Sequence, residues 1–442
     1  MDVPDVRYAR AGGVSIAYQV AGEGEHILIL APHLCEIESL WEMPQIRRFL
    51  DVLLERVCVA VFNARGTGLS DRPRAVTLEA RMDDIGVVLD AIGLVRAPLL
   101  GVATGANSCA LFAAAHPDRC ERLILSHAYP RSIQGLDYPH GVSKEHFLAG
   151  MRDISERWGD REFLEDFFRG NEPILATHDE ELDRAITGYR RAVSPAGAVD
   201  FYRLNFETDV TGVLSSIRVP SLVLHTERDR DVAAYLGARI PESQVVELHE
   251  LGGSPYSEEA AAAVLGFLEG QVVPTVPDSV LATVLFTDIV GSTEHAARAG
   301  DRAWSEVMTR HHADVRRELA RHRGAEVDTA GDGFFCRFDG PARAIACARR
   351  IVIGATELGL QLRAGIHTGE CELVGEKVAG IAVVTGARIS SLAAPGEVLV
   401  SSTVCDLVAG SGLVFEDRGE HELKGVPGTW RLKAVVEPEG QP

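Results

Sequence analysis

Short apolar runs alternate with helix-like stretches between residues 13 and 128, and this rhythm restricts the fold more than any other feature of the chain. Apolar runs without a polar face are typical of parallel strands that helices cover on both sides. Parallel strands need crossover helices between them, so the pattern predicts a doubly wound α/β sheet. The predicted strands are 26–31, 57–62, 97–102 and 122–126, and the predicted helices are 78–94 and 107–116.

A helical segment rich in aromatic residues then interrupts the strand pattern from about 130 to 212. Strand-like runs return at 221–225 and 244–248, and 257–269 reads as a closing helix. A helical insertion inside an α/β sheet is typical of a cap. We therefore predict a first domain over residues 1–270, with a helical cap at about 130–212.

A second domain is predicted over residues 280–437, behind a linker at 271–279 that holds two prolines and no helical periodicity. Its pattern mixes strands and helices without a βαβ rhythm, which favours an α+β fold. The predicted elements are a strand at 282–288, a helix at 294–322, a hairpin at 325–338, a helix at 341–358, a strand at 361–368, a helix at 381–393 and a strand-rich tail.

The net charge of −20 argues against a nucleic-acid partner, because an acidic surface repels a polyanion. It leaves a nucleotide substrate open, since bound cations invert the local charge. The eight cysteines are scattered and form no CxxC pair, which indicates reduced thiols. No leader pattern and no apolar run near ~18 residues is visible, so we expect a cytoplasmic protein without a membrane partner.

Two carboxylates in the second domain stand where a nucleotide site is expected. Asp288 ends a predicted strand and is followed by the turn Gly291-Ser292-Thr293 and a helix start, whose free N–H groups suit a triphosphate. Asp332 lies at the tip of the predicted hairpin. Two carboxylates beside phosphates can hold two divalent cations for attack on phosphorus. Taken singly, Asp288 also suits a helix cap, and Asp-Gly at 332–333 an ordinary hairpin turn.

Four motifs in this domain together resemble the class III adenylate and guanylate cyclases. They are FTDIVGST at 286–293, AGDGFF at 330–335, GIAVVTGAR at 380–388 and LKG at 423–425. The resemblance implies a ferredoxin-like α+β fold. It also implies conversion of a purine nucleoside triphosphate to its 3′,5′-cyclic monophosphate and pyrophosphate, with two Mg²⁺ or Mn²⁺ ions per site.

The resemblance also assigns roles to single residues. Asp288 and Asp332 fall on the two metal-ligand positions of the family, and the carbonyl of Ile289 on a further ligand. Arg388 falls on the arginine that stabilises charge at the α-phosphate, and Lys424 on the lysine that holds the terminal phosphates. Since the family builds its site between two such domains, the resemblance implies a homodimer.

Three positions depart from the pattern of the family. Asp328 and Lys377 occupy the two positions that read the purine, with their charges exchanged. ATP is the first expectation for the substrate, and GTP remains an alternative. Val384 stands where the family has an asparagine that orients the ribose, and valine cannot donate a hydrogen bond. A lost transition-state contact costs ~10²–10³ in rate, so the resemblance implies a slow cyclase.

The first domain resembles the α/β hydrolases but lacks their catalytic groups. Residues 62–71 read FNARGTGLSD, similar to an R-G-x-G-x-S element, and the nucleophile elbow corresponds to GVATG at 101–105. Ala103 occupies the nucleophile position and Gly253 the base position by register. Asp229 fits the acid position. His249 is a conceivable substitute base, four residues early.

These patterns predict a cyclase with a catalytically inert hydrolase-like domain. The pocket under the aromatic cap is expected to bind a small apolar ligand or to serve only structure and dimerisation. Two alternatives remain open: a degenerate protein that acts as a ligand sensor or scaffold, and an esterase-type hydrolase.

Overall fold

The computed structural model describes residues 3–11, 13–23, 27–135, 138–171, 179–249, 254–270, 279–374 and 377–436. The chain divides into two compact units, Met1–Val276 and Pro277–Pro442. Most of the predicted linker lies outside the described residues, but its last residue, Ser279, already belongs to a strand of the second unit. No described helix combines the length and the apolar character that crossing a membrane requires.

Within the described residues, the first unit forms one sheet of eight strands. The strands are β1 (Arg7–Ala11), β2 (Val14–Ala21), β3 (Ile27–Ala31), β4 (Cys58–Phe62), β5 (Ala97–Val102), β6 (Cys120–Ser126), β7 (Ser221–His225) and β8 (Gln244–Glu247). Their order across the sheet is β1-β2-β4-β3-β5-β6-β7-β8. The ladders from β4 to β8 are parallel, whereas β1 and β2 pair in antiparallel fashion.

The predicted parallel sheet is confirmed, and its strands β4 and β7 are buried at every residue. This burial on both faces explains their unbroken apolar sequence. The apolar pattern predicts no strand before residue 26, so β1 and β2 are additions that the structure makes to the prediction. Those two strands form an antiparallel edge, where polar residues alternate with apolar ones and leave a weaker pattern.

Helices cover the sheet and form the cap. They are α1 (Ile37–Glu42), α2 (Pro44–Leu54), α3 (Leu78–Ala91), α4 (Gly105–Ala115), α5 (Lys144–Arg157), α6 (Arg161–Asn171), α7 (Asp179–Ala192), α8 (Pro195–Glu207), α9 (Arg230–Gly237) and α10 (Glu258–Glu269). The segment from α5 to α8 is the predicted helical cap. Its buried core is aromatic and includes Trp158, Phe168, Tyr189, Phe201 and Tyr202.

The second unit is a mixed sheet with helices. Its elements are β9 (Ser279–Ile289), α11 (Ser292–Ala299), α12 (Asp301–Arg321), β10 (Ala325–Ala330), β11 (Gly333–Phe338), α13 (Pro341–Glu357), β12 (Leu362–Val374), β13 (Lys377–Ala379), α14 (Ile381–Leu392), β14 (Val398–Ser401), α15 (Ser402–Leu407), β15 (Val414–Glu422) and β16 (Thr429–Val436). The strand order is β10-β11-β9-β12-β14-β16-β15, with β13 paired to β12. The β12–β14 ladder is parallel and the others are antiparallel. The α+β prediction is confirmed.

One predicted element of this unit is wrong. The sequence pattern predicts a single helix over 294–322, whereas the structure has α11 and α12, separated at Gly300. The φ angle of Gly300 is 78°, which lies in the left-handed region and ends the first helix. The apolar periodicity continues on both sides of this break, so the pattern alone did not reveal it.

The core of the second unit makes its stability sensitive to acid. His367 is 5% exposed and its Nδ1 lies 2.8 Å from the hydroxyl of Ser401. Burial lowers the pKa of His367 from 6.5 to about 4, so the unfolded chain binds the proton first as the pH falls. We expect the free energy of unfolding to fall between pH 7 and 5, with His367 accounting for about 2 kcal/mol.

Urea unfolding of the full chain, followed by tryptophan fluorescence at both pH values, measures this effect. In His367→Gln, the free energy of unfolding should fall less between pH 7 and 5, because the contribution of His367 is absent. The matched control is His421→Gln, on the edge strand β15. Equal pH dependence in all three proteins would contradict the assignment.

Candidate functional site

Asp288 and Asp332 lie at the same end of two neighbouring strands. Asp288 is the penultimate residue of β9, and Asp332 lies in the turn between β10 and β11. The ladder pairs Phe334 with Thr287. Thr287 lies one residue before Asp288, and Phe334 lies two residues after Asp332. Gly331, with φ of 66°, permits the tight turn that presents Asp332. The structure therefore brings the two predicted carboxylates to one edge of the sheet.

The Asp288 carboxylate is held by an arginine that the sequence analysis missed. Arg363 lies opposite Asp288 in the register of β9 and β12. Its Nε and Nη2 donate to Oδ2 of Asp288 at 3.0 and 2.5 Å. The Asp288 side chain remains 41% exposed, so its second oxygen can face a ligand. Only the cross-strand register could reveal this pair, because the two residues are far apart in sequence.

Asp332 carries a polar atom that protein groups do not satisfy. Its Oδ2 is buried and has no hydrogen-bond partner among the described residues. A buried carboxylate oxygen without a partner is costly, and a divalent cation relieves this cost. No described group of three or more His, Cys, Asp or Glu side chains is arranged to hold a metal. A Mg²⁺ site built from one or two carboxylates and substrate phosphates does not need such a group. Asp288 and Asp332 therefore fit a Mg²⁺ site of this kind.

The turn after β9 supplies backbone donors next to Asp288. Gly291 has φ of 68°, and α11 begins at Ser292. The first N–H groups of a helix lack intrahelical acceptors and attract anions. Ile289 ends β9 with its side chain 2% exposed. The side chain of Thr293 lies outside the described part of the chain.

Arg388 and Lys424 form a second group of predicted site residues. Both side chains are exposed, and Nε of Arg388 donates to the backbone carbonyl of Lys424 at 3.0 Å. Arg388 lies on α14, and Lys424 follows β15. In one chain the predicted cations make no direct hydrogen bond or ion pair with the predicted carboxylates among the described residues.

The charge-exchanged pair also comes together. Nζ of Lys377 lies 3.7 Å from Oδ1 of Asp328, and the two side chains are 61% and 64% exposed. Such an exposed pair contributes little to stability. Val384 is 39% exposed, one helical turn before Arg388.

The nucleophile elbow of the first unit retains its backbone shape around an alanine. Ala103 follows β5 with φ of 48°, which is strained for a residue with a side chain. The flanking glycines allow close packing. A Cβ on Gly101 would lie 2.5 Å from Cα of Ala106, and one on Gly105 would lie 2.1 Å from the carbonyl of Ala31. The frame for a nucleophile is intact, but Ala103 presents only a methyl group.

The other predicted triad positions differ in surroundings. Asp229 is 4% exposed, and its Oδ1 accepts hydrogen bonds at 2.8 Å from both the N–H and the hydroxyl of Thr226. His249 is exposed, and its backbone N–H donates to Glu259 at 2.7 Å. Gly253 lies outside the described residues.

His33 and Arg81 lie beside the elbow and were missed by the sequence analysis. Nδ1 of His33 lies 2.8 Å from the hydroxyl of Thr104, and both residues line a cavity together with Arg81. Burial, and secondarily the charge of Arg81, lowers the pKa of His33 to about 4, so the ring is neutral at pH 7. A polar residue two positions after a buried strand was the available signal for His33.

Two family models match the chain. The adenylate and guanylate cyclase catalytic domain matches residues 277–435, and the α/β hydrolase fold matches residues 38–247.

Among curated relatives, strigolactone esterase RMS3 of Pisum sativum is 26% identical over 236 residues, which cover 51% of this chain and 82% of the relative. The putative carbamate hydrolase RutD of a Caulobacter species is 37% identical over 239 residues, covering 50% and 84%. A bromoperoxidase structure from Bacillus anthracis superposes with a TM-score of 0.51 at 20% identity, over 60% of this chain and all of that one. That likeness shows a shared fold.

Proposed function

We propose that this chain, which belongs to the α/β hydrolases in its first unit and to the adenylate and guanylate cyclases in its second, is a nucleotide cyclase. Its hydrolase-like domain would be regulatory. The reaction converts a purine nucleoside triphosphate to its 3′,5′-cyclic monophosphate and pyrophosphate. ATP is the expected substrate and GTP the alternative. The observation that carries the proposal is the unsatisfied Oδ2 of Asp332, at the same sheet edge as Asp288.

Asp288 and Asp332 would hold two Mg²⁺ or Mn²⁺ ions. These ions, when bound, supply positive charge that stabilises the attacking 3′-oxygen and the phosphate oxygens. Arg363 holds the Asp288 carboxylate in a fixed direction by donating to one oxygen only. The N–H groups at the start of α11 bind phosphate oxygens, with Gly291 leaving room for their approach.

Arg388 and Lys424 bind the phosphates from the opposite side. Arg388 would stabilise charge at the α-phosphate, and Lys424 would hold the terminal phosphates. Since no hydrogen bond or ion pair joins the two groups among the described residues of one chain, we propose that a second copy of the chain supplies the cations to each site. A two-fold contact would build two such sites. Val384 offers no hydrogen bond to the ribose, which supports a slow cyclase.

The hydrolase-like unit is proposed to bind a ligand rather than to cleave one. Its elbow has the required shape but no nucleophile, because Ala103 carries only a methyl group. The alanine and Val384 are also the observations that favour the second candidate function, a sensor or scaffold without cyclase activity. Formation of a cyclic nucleotide separates the two.

The test is incubation of the full chain with ATP or GTP and Mn²⁺, with cyclic nucleotide measured by chromatography. We expect product from both nucleotides and a poor preference. Asp328 can accept two hydrogen bonds from guanine N1–H and its 2-amino group, but one from the adenine 6-amino group. Asp328→Ala should therefore lower kcat/KM for GTP up to about tenfold more than for ATP.

Asp417→Ala is the matched control, since Asp417, like Asp328, belongs to an exposed ion pair, here with Arg431. It should leave the ratio unchanged. A preference of several hundred-fold that Asp328→Ala does not alter would show that this residue does not read the base. Absence of product under all conditions would favour the sensor or scaffold.

A further inference from the structure

A buried arginine beside the elbow of the first unit lacks a full set of partners. Arg81 lies on α3 and is 7% exposed. Its Nε has no hydrogen-bond partner among the described residues. Its Nη1 lies 3.5 Å from Oδ1 of Asn205, at the outer limit of a hydrogen bond, and its guanidinium lies 4.8 Å from the ring centre of Phe201. A buried guanidinium is normally paired with an anion, so this one has an unmet requirement.

The neighbouring carboxylate is already engaged by another arginine. Asp84 accepts hydrogen bonds from Nε, Nη2 and the backbone N–H of Arg65, at 2.9, 2.7 and 2.9 Å. The group Arg65, Arg81 and Asp84 thus contains two cations and one anion. Burial lowers the pKa of Arg81 to about 10, which still leaves it charged at pH 7. A further anion beside Arg81 would balance the charge.

The cavity next to Arg81 has the polar groups that an anion needs. The hydroxyls of Thr104 and Ser108 line it, together with His33. Nδ1 of His33 and the hydroxyl of Thr104 lie within hydrogen-bond distance, so the ring can accept a hydrogen bond from the hydroxyl or donate one to its oxygen. When the ring donates, the hydroxyl proton of Thr104 can point toward a ligand. The cavity lies entirely within the first unit, on the side of the cap residue Phe201.

A second cavity shares His33 with the first. Its lining is mainly apolar and includes Leu34, Met43, Ile46 and Phe168, whereas Glu181, the one carboxylate among its described lining residues, would repel an anion. The two cavities together therefore suit a molecule with an anionic head near Arg81 and an apolar tail beyond His33.

We propose that the hydrolase-like unit binds a small carboxylic acid with an apolar tail, whose carboxylate pairs with Arg81 and accepts a hydrogen bond from Thr104. Such a ligand resembles the acid product of an ester hydrolase rather than its substrate. The elbow alanine suits this role, since Ala103 performs no chemistry on the bound molecule. The inference deepens the ligand-binding role proposed above. Its test measures binding, so a failure of the cyclase proposal would leave the result interpretable.

The experiment is isothermal titration of the full chain with octanoate, methyl octanoate and octan-1-ol. We expect octanoate to bind at least about tenfold more tightly than its neutral analogues. Arg81→Met keeps an unbranched apolar stem and removes the charge and the hydrogen-bond donors. It should weaken octanoate about 10- to 100-fold and leave methyl octanoate unchanged. Arg74→Met, at an exposed position of the same unit, is the matched control and should change neither affinity.

Thermal unfolding separates binding from a structural role. A buried charge without full pairing costs stability, so Arg81→Met should unfold at the same temperature or higher. If Arg81→Met does not fold, Arg81→Lys and Thr104→Val provide the test, and both should weaken octanoate selectively. The proposal is overturned if no probe binds, if methyl octanoate binds as tightly as octanoate, or if folded charge-removing variants keep full affinity for octanoate.

Discussion

Replacement of Asp288 or Asp332 by alanine is expected to lower cyclic nucleotide formation by at least about 10³-fold. Each change removes one carboxylate from the proposed metal pair, and the other cannot place both ions beside the triphosphate. Asp288→Ala also leaves Arg363 without its carboxylate partner. The guanidinium would then add positive charge near the phosphates but would hold no metal ion. Product is measured by chromatography with saturating Mn²⁺. Asp417→Ala, which breaks an exposed ion pair on the edge strand, should keep full activity.

Mixing inactive variants tests whether two chains share each site. Arg388→Ala should be as inactive as Asp288→Ala when either forms a pure homodimer. In a mixed dimer one site receives both changes and the other receives neither. Activity should therefore return, up to about half the wild-type level per mixed dimer, because metals and cations close on the triphosphate from opposite sides.

Two results would contradict the shared site. The first is a mixture that stays inactive although subunit exchange has been demonstrated. The second is a verified monomer with full activity. If Asp288→Ala and Asp332→Ala both retain activity with the wild-type metal requirement, the proposed metal pair itself is wrong.

No turnover of ester substrates above buffer is expected from the first unit. Loss of the nucleophile alone costs roughly 10⁶-fold in triad enzymes, and further losses do not add to it. A panel of p-nitrophenyl esters, followed by absorbance, checks this expectation. Ala103→Ser should stay inactive, because a serine at the elbow still lacks a base where the register places Gly253.

A turnover that survives purification and disappears in Asp229→Ala would refute this expectation. In that case Thr104, which follows Ala103 in the sequence, is the hydroxyl to test as a nucleophile, because it lies 2.8 Å from Nδ1 of His33. Thr104→Val would then show whether the activity passes through that pair.

Much of the architecture was predictable because it is encoded locally. The unbroken apolar runs gave the parallel strands, with β5 and β7 correct at both ends, and the turn residues at 331–332 gave the hairpin. The elbow motif gave the strand, the strained turn and the helix around Ala103. The antiparallel strands β1 and β2 and the break at Gly300 were not predicted, because the alternating or continuous periodicity at these places does not distinguish the alternatives.

The sequence by itself determined which residue types stand at the candidate sites, since motif and spacing are properties of neighbouring residues. It placed Asp288 and Asp332 at a strand end and a turn, and it showed that Ala103 cannot be a nucleophile. Only the tertiary structure decided which distant groups meet. The register of β9 with β12 pairs Asp288 with Arg363, and the packing of α3 against the elbow brings Arg81 to the cavity of His33. Such contacts depend on strand register and on crossover connections, which leave no periodic signal along the chain. In the sequence, a charged residue that the fold buries is indistinguishable from an exposed charged residue on a helix.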